Sequence, residues 1–113
     1  MANPSKRKGT AGETAVVATL VEQGWPHAER RALSGAKDRG DVAGVPGIVI
    51  EVKNEREFHI SAWLKEAATE KANDHADHGV VWFKIPRKGD PMDWAVCMTG
   101  AEFLSLLAKA GYR

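Results

Sequence analysis

The sequence predicts a single α/β domain, a mixed β-sheet of about five strands flanked by helices in the order helix, three strands, helix, two strands, helix. Three observations predict it. Apolar residues recur at helical spacing in separate segments, and short apolar or alternating runs lie between those segments. Two Thr-x-x-Glu signatures, at Thr10 and Thr99, mark helix starts. Finally, 113 residues with no internal repeat and no long linker are the length of one ordinary domain.

Taken in order, residues 1–8 combine Asn3, Pro4 and Ser5 with the run Lys6-Arg7-Lys8, which cannot bury apolar surface and is expected to form a flexible basic arm ahead of a domain at 9–113. Thr10 and Glu13 match a capping box, so a helix is expected from about 10 to 23, with Val16, Val17, Leu20 and Val21 on its apolar stripe and Gly24 as its stop. A strand is expected over Trp25 to Arg30, then a basic, Gly-containing loop to Gly40. Asp41 to Val45 and Ile48 to Lys53 read as a hairpin turned at Pro46-Gly47, because Pro presets the first torsion of a turn and Gly tolerates the second. A helix over about Ser61 to Asn73 presents the small residues Ala67, Ala68 and Ala72 for close packing on a sheet. Val80 to Ile85 and Trp94 to Met98 are two further strands separated by a turn from Pro86 to Pro91. Thr99 and Glu102 open the last helix, in which Glu102 is expected to serve only as a cap.

Composition narrows the classes of function. Sixteen Lys and Arg against fifteen Asp and Glu leave a formal charge of +1, so any nucleic-acid partner must be argued from where the charges lie. The single Cys97 excludes an intramolecular disulfide framework and is expected to pack as a small hydrophobe. No run of residues is apolar enough to span a bilayer, and the amino terminus has no apolar core of a secretory signal, so an intracellular, cytoplasmic protein without a membrane partner is expected.

The informative segment runs from Gly40-Asp41 to Lys53. Side chains alternate along a strand, so Ile48, Ile50 and Val52 face one side while Val49, Glu51 and Lys53 face the other. A carboxylate and an ammonium on a face that begins apolar are costly to desolvate unless they serve one another or a ligand. The hairpin would bring Asp41 opposite Glu51 to Lys53. Two converging carboxylates suit a hard divalent cation, which prefers oxygen donors and often takes only one or two protein carboxylates.

Gly40-Asp41, nine residues, then Glu51-Val52-Lys53 resembles the PD-(D/E)XK nuclease superfamily, with Gly40 in place of the family's Pro. Lys8 to Glu13, followed by an apolar helix and Gly24-Trp25, looks like the opening of archaeal-type Holliday-junction resolvases, a branch of that superfamily. The resemblance implies a restriction-endonuclease-like core. It also implies metal binding by Asp41, Glu51 and the Val52 backbone carbonyl, with Glu13 joining from the first helix, and a Lys53 that positions or activates the attacking water. Mg²⁺, with Mn²⁺ as substitute, is the implied cofactor. Glu13 itself lies four residues before Val17 and seven before Leu20, so it shares their stripe and should point toward the sheet; the competing reading is a capping acid alone.

Lys6, Arg7, Lys8, Arg30, Arg31, Lys37 and Arg39 all precede Asp41, which gives a basic front half suited to backbone phosphates; solvated loop charges are the plain alternative. Lys84, Arg87 and Lys88 form a smaller patch. Asp74, His75, Asp77 and His78 read as a frayed helix end before a metal cluster, and His59 and the four Trp residues default to structural roles. These readings predict a Mg²⁺-dependent, structure-selective endonuclease that resolves four-way DNA junctions as a homodimer, since one small site per chain must be paired to cut two strands. Another endonuclease of the same superfamily, or a non-catalytic DNA-binding module of the same fold, are the alternatives.

Overall fold

The computed structural model describes residues 3–32 and 37–113. Three helices and five strands run in the order α1 (Pro4–Glu22), β1 (Glu29–Arg30), β2 (Val42–Ala43), β3 (Ile48–Lys53), α2 (Ile60–Asp74), β4 (His78–Phe83), β5 (Ala95–Cys97) and α3 (Gly100–Ala110), with one 3₁₀ turn at Pro91–Asp93. The predicted element order is therefore found, but the single five-stranded sheet is not. β1 and β2 form a two-stranded antiparallel sheet, and β3, β4 and β5 form a second sheet with β4 in the middle, parallel to β3 and antiparallel to β5.

Helix α1 begins at Pro4, six residues before the predicted start. Asn3 supplies the cap, its side chain accepting from the Ser5 amide at 2.9 Å, and Pro4 occupies a first-turn position where a missing N–H is harmless. Lys6, Arg7 and Lys8 thus sit on exposed helical turns instead of an arm, and Thr10 lies inside the helix. The predicted hairpin is also replaced. β2 pairs with β1, and the chain around Pro46-Gly47 leads into a β3 whose ladder partner is β4, reached through α2. What survives of the hairpin is its Pro46-Gly47 turn, closed by the Ile48 amide donating to the Val45 carbonyl at 3.3 Å, and one further backbone bond, from the Asp41 amide to the Ile50 carbonyl at 3.0 Å.

The two faces of β3 are those its alternation predicts. Ile50 and Val52 pack with Val16 and Leu20 of α1, Ala28, Val42 and Val80, and Ile48 lies against the same cluster. The opposite face belongs to α2, where Trp63 and Ala67 pack with Val81 and Phe83 of β4. The buried stripe of α2 is Trp63, Ala67 and Glu70, not the expected alanine face, since Ala68 and Ala72 are exposed. Helix and sheet touch closely at Gly79 of β4, where a Cβ would lie 2.9 Å from the Ala67 carbonyl oxygen. Trp63 is buried and Trp82 and Trp94 pack against the first cluster, as expected, whereas Trp25 is exposed. Cys97 is half-buried against the second cluster.

Helix α3 buries no residue fully and exposes Phe103 and Leu104. It is held by Glu102, whose role exceeds the cap predicted for it. Thr99 Oγ does accept from the Glu102 amide, but the Glu102 carboxylate reaches away, to Lys71 Nζ at 2.8 Å and to the Gly79 amide. Burial alone would raise its pKa; the Lys71 and Gly79 hydrogen bonds and the nearby cations outweigh this and hold it below the usual carboxylate range. No described helix is long and apolar enough to cross a membrane.

Candidate active site

Three separate stretches of chain meet at the end of β3. Gly40 occupies φ +94°, a backbone conformation that proline cannot adopt, and its amide bonds to Asp38 Oδ1 at 2.9 Å. A glycine at this position is therefore demanded by the local geometry. This turn aims Asp41 at β3, where Asp41 Oδ2 accepts from the Val52 amide at 2.7 Å. N–H and C=O of one strand residue point to the same edge, so the Val52 carbonyl also faces the Asp41 side. From the other direction α1 approaches β3 at Gly12, where a Cβ would meet Asn54 Cβ at 3.1 Å, and Asn54 Nδ2 donates to the Lys8 carbonyl at 3.0 Å. That contact places Glu13 at the same edge.

Glu13, Asp41, Glu51, Val52 and Lys53 accordingly line one cleft of about 760 Å³. Glu51 is buried, and burial, then hydrogen bonds to Asp41 and Glu70 and their negative charges, push its pKa far up. Burial and the Asp41 charge raise Glu13, only partly offset by Arg30, whose Nε lies 3.2 Å from Glu13 Oε1. Lys53 Nζ donates to Glu66 Oε2 at 3.0 Å; burial alone would lower its pKa, but that hydrogen bond and the charges of Glu51, Glu66 and Glu55 raise it, so the side chain stays cationic. Against its own desolvation, Glu66 is lowered by hydrogen bonds to Glu51 and Lys53 and by the Lys53 charge.

Sequence reasoning missed Asp38 and Glu70. One carboxylate oxygen from each of Asp38, Glu51 and Glu70 lies within 4.8 Å of the others, the one such group among the described residues. Glu70 is 2% exposed and neither of its oxygens has a donor. A hydrogen bond between Glu51 and Glu70 forms only when the two share a proton. Burial, together with the charges of Asp38, Asp41 and Glu66, lifts Glu70 to about 7, against the opposing effect of that bond. The signal was in the helical period, because Glu70 falls seven residues after Trp63 and three after Ala67, on the buried stripe.

The predicted phosphate contacts divide. Lys6, Arg30 and Arg31 line the cleft, and Lys8 lines a smaller hollow beside it with Arg56 and His59. Arg7, Lys37 and Arg39 lie outside both linings, and Ser34 to Ala36 of the expected basic loop lie outside the described residues. Arg31 and Arg39 approach Asp74 at 3.7 and 4.0 Å, and Arg30 pairs with Glu13, so both arginines of the cleft, Arg30 and Arg31, already have acidic partners. The Asp74 to His78 segment forms no metal cluster: His75 caps α2 in the left-handed conformation and His78 is buried in β4.

An oxygen-only donor set with more carboxylates than cations around it fits a hard divalent ion and is poorly suited to a soft one. No protein family, curated protein or solved structure was found to match the chain.

Proposed function

We propose that the protein is a Mg²⁺-dependent, structure-selective DNA endonuclease, with four-way junctions cut by paired nicks as its substrate. The observation that carries this reading is the meeting of Glu13, Asp41, Glu51 and Lys53 from three chain segments in one open cleft that Lys6, Arg30 and Arg31 also line. A bound Mg²⁺ supplies charge neutralisation at a phosphate and acidifies water. Asp41 and Glu51, with the Val52 carbonyl, would hold it, and Glu13 would complete the oxygen set. The Lys53 ammonium, anchored by Glu66, is placed to orient water and to stabilise charge developing on a phosphate oxygen. Lys6 extends from α1 toward the cleft and offers a contact to the phosphate backbone, while Arg30 would exchange Glu13 for phosphate on binding. One site per chain cuts one strand, so two chains related by a twofold axis would supply the paired nicks.

The test offers labelled four-way junction, flap, linear duplex and single strand at equal concentration with Mg²⁺, alongside Asp41→Asn and Lys53→Ala. Paired nicking of the junction, abolished in both variants with DNA binding retained, is the expected result. Undiminished cleavage by both variants would refute the assignment of the site, and equal cutting of linear duplex would replace junction selectivity with general nuclease activity. Sedimentation of the protein with junction should give two chains per DNA; a monomer that resolves junctions at full rate would remove the dimer.

A further inference from the structure

Glu70 raises a question of charge that the proposed reaction does not answer. Its side chain is among the largest fully buried ones, neither oxygen meets a donor, and the side chains gathered within 4.8 Å of it, Glu51 and Asp38, are acids. An ionised carboxylate held this way is expensive unless something positive sits beside it. Neighbouring cations pair elsewhere, Lys53 with Glu66 and Glu55, Arg31 and Arg39 with Asp74, and Lys71 with Glu102, and Lys65, which lines the hollow beside Glu70, makes no hydrogen bond to it. Nor does the helix help, since Glu70 lies in the second half of α2, away from its positive end.

Geometry indicates what could fill the gap. Around a divalent ion with oxygen ligands at roughly 2.1 to 2.4 Å, neighbouring ligands lie about 3 to 3.4 Å apart and opposite ones about 4.2 to 4.8 Å. The oxygens of Asp38, Glu51 and Glu70 already fall within 4.8 Å of one another. Asp38 is fixed for the purpose, because its Oδ1 accepts from the Gly40 amide and its carbonyl accepts from Asn73 Nδ2 at 2.7 Å. A route from solvent exists on the α2 side, where Asp38 and Glu70 line a hollow with Ala62, Lys65, Glu66 and Thr69. Asp41, Glu13 and Glu51 line the other opening, and Asp38 and Glu66 line both.

We propose that Asp38, Glu51 and Glu70 form a second divalent-cation site, with Glu51 shared between it and the Asp41 side of the cleft. The site rests on burial and donor chemistry, and it holds whatever reaction the cleft performs. Mn²⁺ is the probe: its free concentration is read by electron paramagnetic resonance during titration of the DNA-free protein, for wild type, Glu70→Gln, Asp38→Asn and Asp41→Asn. Wild type should bind two ions per chain. Glu70→Gln and Asp38→Asn should each weaken one of them by roughly tenfold or more, and Asp41→Asn should leave that same ion bound. Asp38 is exposed, so its variant tests the site without disturbing the core, and circular dichroism checks the fold of Glu70→Gln. Unchanged Mn²⁺ binding in both Glu70→Gln and Asp38→Asn would overturn the proposal. The functional reading fails separately, on DNA cleavage: an Mn²⁺ pattern as expected in a protein that cuts no DNA keeps this site and removes the nuclease, while cleavage that depends on Asp41 with binding indifferent to Glu70 does the reverse.

Discussion

Removing the proton-binding capacity of Glu70 should flatten the dependence of stability on pH in metal-free protein. In the folded chain its pKa rises from the ordinary 4.5 to about 7. Between those values the unfolded chain has released this proton and the folded chain still holds it, so each pH step upward favours unfolding. At about 1.36 kcal/mol per tenfold change in proton affinity, the loss amounts to about 3 kcal/mol, complete once the pH exceeds 7. Glu51 shifts in the same direction, chiefly through its own burial and its bond to Asp41, both of which Glu70→Gln leaves in place. The assay is urea unfolding of wild type and Glu70→Gln in EDTA at intervals from pH 4.5 to 8. Wild type should lose about 3 kcal/mol more than the variant across that range, and the difference should shrink when Mn²⁺ replaces EDTA. Equal slopes in the two proteins would show that the Glu70 carboxyl is not held against ionisation, and the reasoning from its burial would fail.

Three further substitutions probe the frame of the site. Gly40→Pro should cost about 3 kcal/mol or more and abolish the proposed cleavage, because φ +94° is closed to proline and the bond to Asp38 is lost; denaturant unfolding and a nicking assay check both. Gly79→Val should cost about 1 to 3 kcal/mol by driving α2 off β4, measured by thermal unfolding. Trp63→Ala, which empties a buried position flanked by Phe58 and by Phe83 at 5.5 Å, should cost about 3 to 5 kcal/mol in urea unfolding with the slope unchanged.

Local periodicity carries the parts of the fold that local chemistry decides. β3 is legible because its alternation separates Ile50 and Val52 from Glu51 and Lys53, and the structure sends those two sets to α1 and α2 respectively. Glu13 is legible in the same way, from its place on the α1 stripe. Partner choice is less so. The Pro46-Gly47 turn invites a hairpin, but β3 is apolar on both faces where it starts and gains more from a long parallel ladder with β4 than from two residues of β2. The helix start shifts because two capping signals compete in one segment; Asn3-Pro4 opens α1 earlier and leaves Thr10 and Glu13 on an uninterrupted helix. Glu70 hides for a different reason. In sequence it is one more acid in a charged helix, and only its phase relative to Trp63 and Ala67 marks it as buried.

The bonds that bring Asp41 to the cleft differ in kind from those that gather the other acids. Glu51, Lys53, Glu66 and Glu70 all belong to the continuous β3, α2 and β4 stretch, whose six-residue parallel ladder is locked by a helix packed on one face. Asp41 is joined to β3 by its amide bond to Ile50 and its carboxylate bond to Val52, beside a two-residue pairing of β1 with β2. Hydrogen exchange should therefore separate them, with amides of β4 released only by global unfolding and those of Val42 and Val52 released by a local opening of lower free energy. In that opened state the cleft loses its Asp41 wall while the carboxylates on β3 and α2 stay assembled, so the cleft widens without unfolding the sheet.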